Sequence, residues 1–167
     1  MKQKLNLTKI IFVLYILLLI WIILFKTVSS FSEIPWFTSI RNINLIPFYY
    51  ENNVGLLHIR EVVMNILIFI PLGIYLKMLN VSGKKIFLYG CILSLTFELL
   101  QFVLAMGASD ITDIISNTLG TVVGIFIYVL LRKLFTDKSK MDRIINVVAL
   151  VLLILFSVLA LLLFIAN

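Results

Sequence analysis

The sequence predicts an all-α fold, a polytopic bundle of about five transmembrane helices, and three observations predict it. Of 167 residues, 62% are hydrophobic and 13% charged, against ~45–50% and ~25% in soluble domains; the mean hydropathy is +1.16. Long, largely apolar runs alternate with short polar segments, as expected of helices that must satisfy their backbone polar groups internally within lipid. Basic residues gather in alternate connections. The net charge of +6 therefore reads as an orientation signal rather than as a nucleic-acid footprint.

Five runs reach spanning length, for which ~17–25 residues are needed. The first, Ile10 to Phe25, is short by itself, and Thr8 and Lys9 extend it, with Lys9 reaching back to the headgroups. Its basic start resembles a secretory signal, but Lys26 interrupts the approach to any cleavage site at Val28 to Ser30, so it is read as an uncleaved helix. The second, Val62 to Leu79, contains Pro71, which removes a helix hydrogen bond and is expected to kink it. The third, Ile86 to Ala105, holds Cys91, the only cysteine, so an intrachain disulfide and a cysteine metal cluster are excluded. The fourth is Asp113 to Leu131. The fifth, Ile144 to Ala166, has no charge after Arg143 and reads as lipid contact or packing.

Orientation follows from the Lys and Arg positions. Lys2, Lys4 and Lys9 precede the first helix, Lys77, Lys84 and Lys85 flank the second turn, and Arg132, Lys133, Lys138, Lys140 and Arg143 fill the fourth connection. Only Lys26, Arg41 and Arg60 lie elsewhere, offset by Glu33, Glu51 and Glu61. The positive-inside rule then places the N-terminus in the cytoplasm and the C-terminus outside, with segment 26–60 and the Met106 to Thr112 turn also outside.

Polar residues within the spans are the informative ones, since a carboxylate at mid-bilayer costs ~2.5–3.5 kcal/mol. Glu98 and Gln101 share a face of the third helix with Ser94 and Gly90. Asp113, Asn117, Gly120 and Gly124 share one face of the fourth, and Glu61, Asn65 and Phe69 one face of the second. The topology brings these stripes to the same outer depth, which predicts a polar pocket open to the extracytoplasmic side. Small-residue packing around Gly120 and Gly124 is expected to seal its inner half. Asp110 or Ser109 also suits a helix cap, and Asn117 and Gln101 suit plain interhelical bonds. His58 has no second histidine or cysteine to make a metal site and reads as an interfacial loop residue. The aromatic-rich segment 26–60 is expected to cover the pocket as a lid, with an extended turn at Asn44 to Phe48 because Pro47 disfavours helix at Ile46.

Several motifs, taken in order, resemble the VanZ-like membrane protein family: Asn44-Leu45-Ile46-Pro47-Phe48, then Asn65 with Phe69, Pro71 and Gly73. Glu98-x-x-Gln101 and Asp110-x-x-Asp113-x-x-x-Asn117-x-x-Gly120 complete the set. The resemblance spans roughly Leu14 to Leu131, within one domain over 1–167 to which 144–166 adds a C-terminal helix. One departure is Gly107, where many members carry a basic residue; Arg60 is the candidate substitute. The resemblance implies a multi-pass protein of the bacterial cytoplasmic membrane, in a family whose founding member is associated with resistance to teicoplanin, a glycopeptide antibiotic.

The candidate ligand-binding residues are Asn44, Glu61, Asn65, Glu98, Gln101, Asp110, Asp113 and Asn117, facing a headgroup, a lipid-linked cell-wall precursor or a cationic ligand. No cofactor, resident metal or nucleic acid is expected. The reading leans away from catalysis. Were there any, Glu98, Asp110 and Asp113 would carry it as an acid/base pair or as oxygen ligands of a divalent cation. A scaffold for another envelope protein is the remaining alternative.

Overall fold

The computed structural model describes residues 2–25, 43–49, 55–104 and 109–166, with side chains over 7–23, 43–49, 58–104 and 109–158. The helices are α1 (Lys2–Phe25), α2 (Gly55–Met78), α3 (Gly83–Leu104), α4 (Ile111–Leu134) and α5 (Lys138–Ala166), with two-residue strands β1 (Ile43–Asn44) and β2 (Ser109–Asp110). In α2 to α5, His58–Met78, Gly83–Leu104, Ile111–Leu134 and Lys138–Val158 are long and apolar enough to cross a membrane, and Leu7–Ile23 of α1 is a shorter apolar stretch. Hydrophobic runs underestimate the helices, most of all at α1, α2 and α5. Hydropathy marks the edge of the apolar solvent, whereas backbone hydrogen bonding persists through polar residues beyond it. At α5 a cap sets the start: Asp137 Oδ1 accepts from the Ser139 and Lys140 amides at 2.7 and 3.4 Å. His58 likewise belongs to α2 and not to a loop, as its isolation in sequence suggested.

Glycines make α2 and α4 the central pair. A Cβ at Gly73 would overlap the Thr121 carbonyl oxygen, one at Gly120 that of Ile66, and one at Gly124 that of Ile70. The helix backbones therefore touch directly, the close approach that small residues permit between membrane helices. The same device seats α3, where Gly90 faces the Thr121 side chain. α2 continues through Pro71, and three residues earlier the Ile68 carbonyl accepts a bond from the Tyr15 hydroxyl of α1 at 2.8 Å.

Aromatics fill the remaining space: the buried Phe69 and Phe97 meet edge to face at 6.3 Å, and the half-buried Phe12 stacks on the buried Tyr75 at 5.7 Å. α5 lies at the periphery, with 11% of its spanning window buried against 33–39% for α2 to α4. It is not wholly featureless. Asn146, passed over in reading this helix as purely apolar, is buried and donates to Thr8 Oγ1 of α1 at 2.8 Å.

Candidate functional site

The end of the bundle where α2 and α4 begin and α3 finishes carries a connected set of polar side chains. Asp110 stands at the N-cap of α4 with extended backbone, and its carboxylate accepts from the Thr112 amide at 2.7 Å. It satisfies one of the amides that every helix start leaves open. The expected cap is therefore present, and it coexists with a second contact. The other oxygen, Asp110 Oδ2, accepts from Asn44 Nδ2 at 3.0 Å, while β1 pairs parallel with β2, Ile43 opposite Ser109 and Asn44 opposite Asp110.

The chain after β1 turns sharply. Tyr49 N donates to Ile46 O at 3.3 Å across Pro47 and Phe48, and Phe48 adopts φ 56°. Proline followed by a positive φ is the pattern of a type II turn, which normally places glycine or asparagine where Phe48 stands. Two contacts hold this strained position: the Ile46 amide donates to Asn44 Oδ1 at 3.1 Å, and the Phe48 amide donates to Thr112 Oγ1 at 3.1 Å. Segment 43–49 thus lies on the start of α4, where a covering element was expected. Residues 55–60 of the expected lid belong to α2 instead, and its other parts, 26–42 and 50–54, fall outside the described residues, as does Gly107.

Glu98, 4% exposed, fastens α3 to this structure. Its Oε2 accepts from the Asp110 amide at 2.8 Å, and its carbonyl oxygen accepts from Ser109 Oγ at 2.9 Å. The Glu98 and Asp110 carboxyls consequently lie within about 8 Å of each other, by the covalent reach of an aspartate from its own nitrogen.

A second layer sits about one turn deeper. Asn65 Nδ2 of α2 donates to Asp113 Oδ1 at 2.7 Å. The Asp113 carbonyl accepts from Ser116 Oγ at 3.2 Å and lies 3.5 Å from Ser94 Oγ, which in turn accepts from Asn117 Nδ2 at 2.9 Å. Asn65 and Asn117 are 2% and 1% exposed. The Asn117 Oδ1 has no partner among the described residues.

Of the sequence candidates, Asn44, Asn65, Glu98, Asp110, Asp113 and Asn117 thus come together. Gln101 and Glu61 stand apart from them. Gln101 is buried, but its Nε2 donates to the Ile23 carbonyl of α1 at 2.8 Å, an interhelical bond. The Glu61 side chain is 41% exposed, with His58 Nδ1 3.7 Å away on the same helix. Arg60 is exposed beside it on α2. Thr112, Ser94 and Ser116 join the network although sequence reading did not assign them to the site. Their small hydroxyls are common on helices, and only the partner's position reveals the bond. Among the described residues no three His, Cys, Asp or Glu side chains gather as metal ligands.

The VanZ/LLP1 family model matches residues 12–132, a stretch that contains every residue of this network. The chain belongs to the VanZ/LLP1 family. It is similar to Protein VanZ of Enterococcus faecium, 41% identical over 150 residues that cover 87% of each chain. No solved structure matches. Within this VanZ/LLP1 chain the matched stretch ends near the close of α4, so the whole of α5 lies beyond it.

Proposed function

We propose that this VanZ-family protein works in the bacterial cytoplasmic membrane and contributes to glycopeptide resistance of the teicoplanin type. It does so through the polar end of its bundle, which faces out of the cell and binds a lipid headgroup, a lipid-linked cell-wall precursor or a similar ligand. The observation that carries the reading is the burial of two carboxylates, Glu98 and Asp113, in a membrane bundle, Glu98 bonded to the Asp110 amide and Asp113 to Asn65. Ionisable groups placed there are costly and mark functional sites in membrane proteins. The glycopeptide part rests on the family, and the outward direction on the distribution of Lys and Arg.

The test is single replacement of Glu98, Asp113 and Asn117 by Gln, Asn and Leu, scored by teicoplanin susceptibility at matched protein level. Loss of resistance by roughly tenfold, the equivalent of one charge-assisted hydrogen bond, supports the proposal. Wild-type susceptibility in all of the variants refutes it.

A second reading, an enzyme acting on a lipid-linked envelope substrate, draws on the closeness of Glu98 and Asp110. Paired catalytic carboxyls lie ~5–9.5 Å apart. The two readings part at turnover itself, because loss of resistance in E98Q is expected under both. Product formation by the wild type from a defined lipid-linked precursor would favour the enzyme.

A further inference from the structure

At the opposite end of the bundle the turn after α2 meets the turn after α4. Lys138 Nζ donates to Asn80 Oδ1 at 3.0 Å. The last turns of α2 and α4, the first turn of α3 and the first two turns of α5 carry Lys77, Lys84, Lys85, Arg132, Lys133, Lys138, Lys140 and Arg143. The acids there are Asp137 and Asp142. Asp137 caps α5, and Asp142 accepts from the Tyr128 hydroxyl at 3.4 Å. Arg132 is bonded to the Phe135 carbonyl at 3.0 Å. Lys84, Lys85, Lys133, Lys140 and Arg143 are exposed, and none has an ion-pair partner among the described residues.

Two features go beyond what orientation in the membrane requires, since the positive-inside rule asks only for Lys and Arg near the spans. First, the bond between Lys138 and Asn80 holds two separate turns together, so the charges form one surface. Second, Lys84 and Lys85 occupy the first turn of α3, which has no acidic residue, at the positive end of the helix dipole. Cations are unfavourable there by themselves and become favourable when an anion joins them. Space beside Gly83 at this helix start is open.

We propose that this end of the bundle docks anionic phospholipid headgroups of the adjoining leaflet, with Lys84, Lys85, Lys133 and Lys140 as the principal contacts. Lysines at the ends of spanning helices reach the headgroup level, which favours lipid phosphate over a soluble polyanion. The proposal is independent of the site at the other end.

The experiment is native mass spectrometry of the full-length protein in detergent, offered phosphatidylglycerol and phosphatidylcholine of equal chain length. Orientation does not enter once the protein has left the membrane. The wild type is expected to retain phosphatidylglycerol over phosphatidylcholine by roughly fivefold or more, falling as salt is added. The quadruple variant K84Q/K85Q/K133Q/K140Q is expected to lose that preference and the corresponding four Arg replacements to keep it. Helix content by circular dichroism checks folding, and K84Q/K85Q serves if the quadruple variant unfolds. Equal retention of the two lipids by the wild type, or an undiminished preference in a folded Gln variant, overturns the proposal.

Discussion

Asn65 and Gln101 look alike in sequence, each a lone amide near a carboxylate, and their surroundings separate them. Asn65 supplies a 2.7 Å bond to the buried Asp113 carboxylate. Leucine at this position leaves that oxygen short of a donor, at a cost of ~1–3 kcal/mol. N65L is expected to lower the melting temperature in detergent and to reduce resistance measured at equal protein level. Among the described residues Gln101 bonds a backbone carbonyl of α1, and Q101L should cost ~0.6–2 kcal/mol while leaving susceptibility per molecule unchanged. A melting curve and a susceptibility assay on the same two variants check both outcomes. If Q101L proved as damaging to resistance as N65L at matched level, the division between site and support would be wrong.

Among the elements, the α2–α4 contact is the least forgiving. At Gly73, Gly120 and Gly124 an added side chain meets backbone carbonyls of the facing helix, and backbone cannot rotate aside as a side chain does. Valine at any of the three should exceed the ~1–3 kcal/mol of ordinary overpacking and prevent accumulation in membranes, as immunoblotting would reveal. Gly83→Ala meets open space and is expected to accumulate normally. The strap formed by 43–49 is a weaker element. Asn44→Ala removes its bond to Asp110 and the acceptor of the Ile46 amide, worth ~0.5–1.5 kcal/mol each. Hydrogen exchange at Ile46 and Phe48 should quicken in this variant, with the amides of the α2–α4 pair unchanged.

For the whole molecule, α5 lies at the margin of the bundle and beyond the family match. Its spanning window is 11% buried, its polar ties among the described residues include Asn146 to Thr8, Asp142 to Tyr128 and Lys138 to Asn80, and the family match stops at residue 132. A chain ending after Leu134 is expected to insert and to retain the melting behaviour of the α2–α4 core, losing chiefly the packing of α1 against α5. Absence of a folded four-helix product in detergent would show instead that α5 is integral. The distribution of Lys and Arg predicts that a reporter fused within the Met106 to Thr112 turn reads as extracytoplasmic; a cytoplasmic reading would put the polar end on the wrong side for a cell-wall ligand.

The sequence by itself determined the helices and their approximate limits, because hydrocarbon excludes charge and an unpaired backbone so strongly that each span is written as a predominantly apolar run. It also determined which polar residues could meet, since helical spacing assigns them to faces and chain direction assigns them to ends. Tertiary structure alone decided which of them do meet. A two-residue strand such as Ile43–Asn44 leaves no periodic signal and exists only because Ser109–Asp110 lies alongside it. In the same way Gln101 turned to α1 and Glu98 to the Asp110 amide, for a hydrogen bond is settled by the distance to its partner, and that distance belongs to the packed helices and not to the order of residues along one of them.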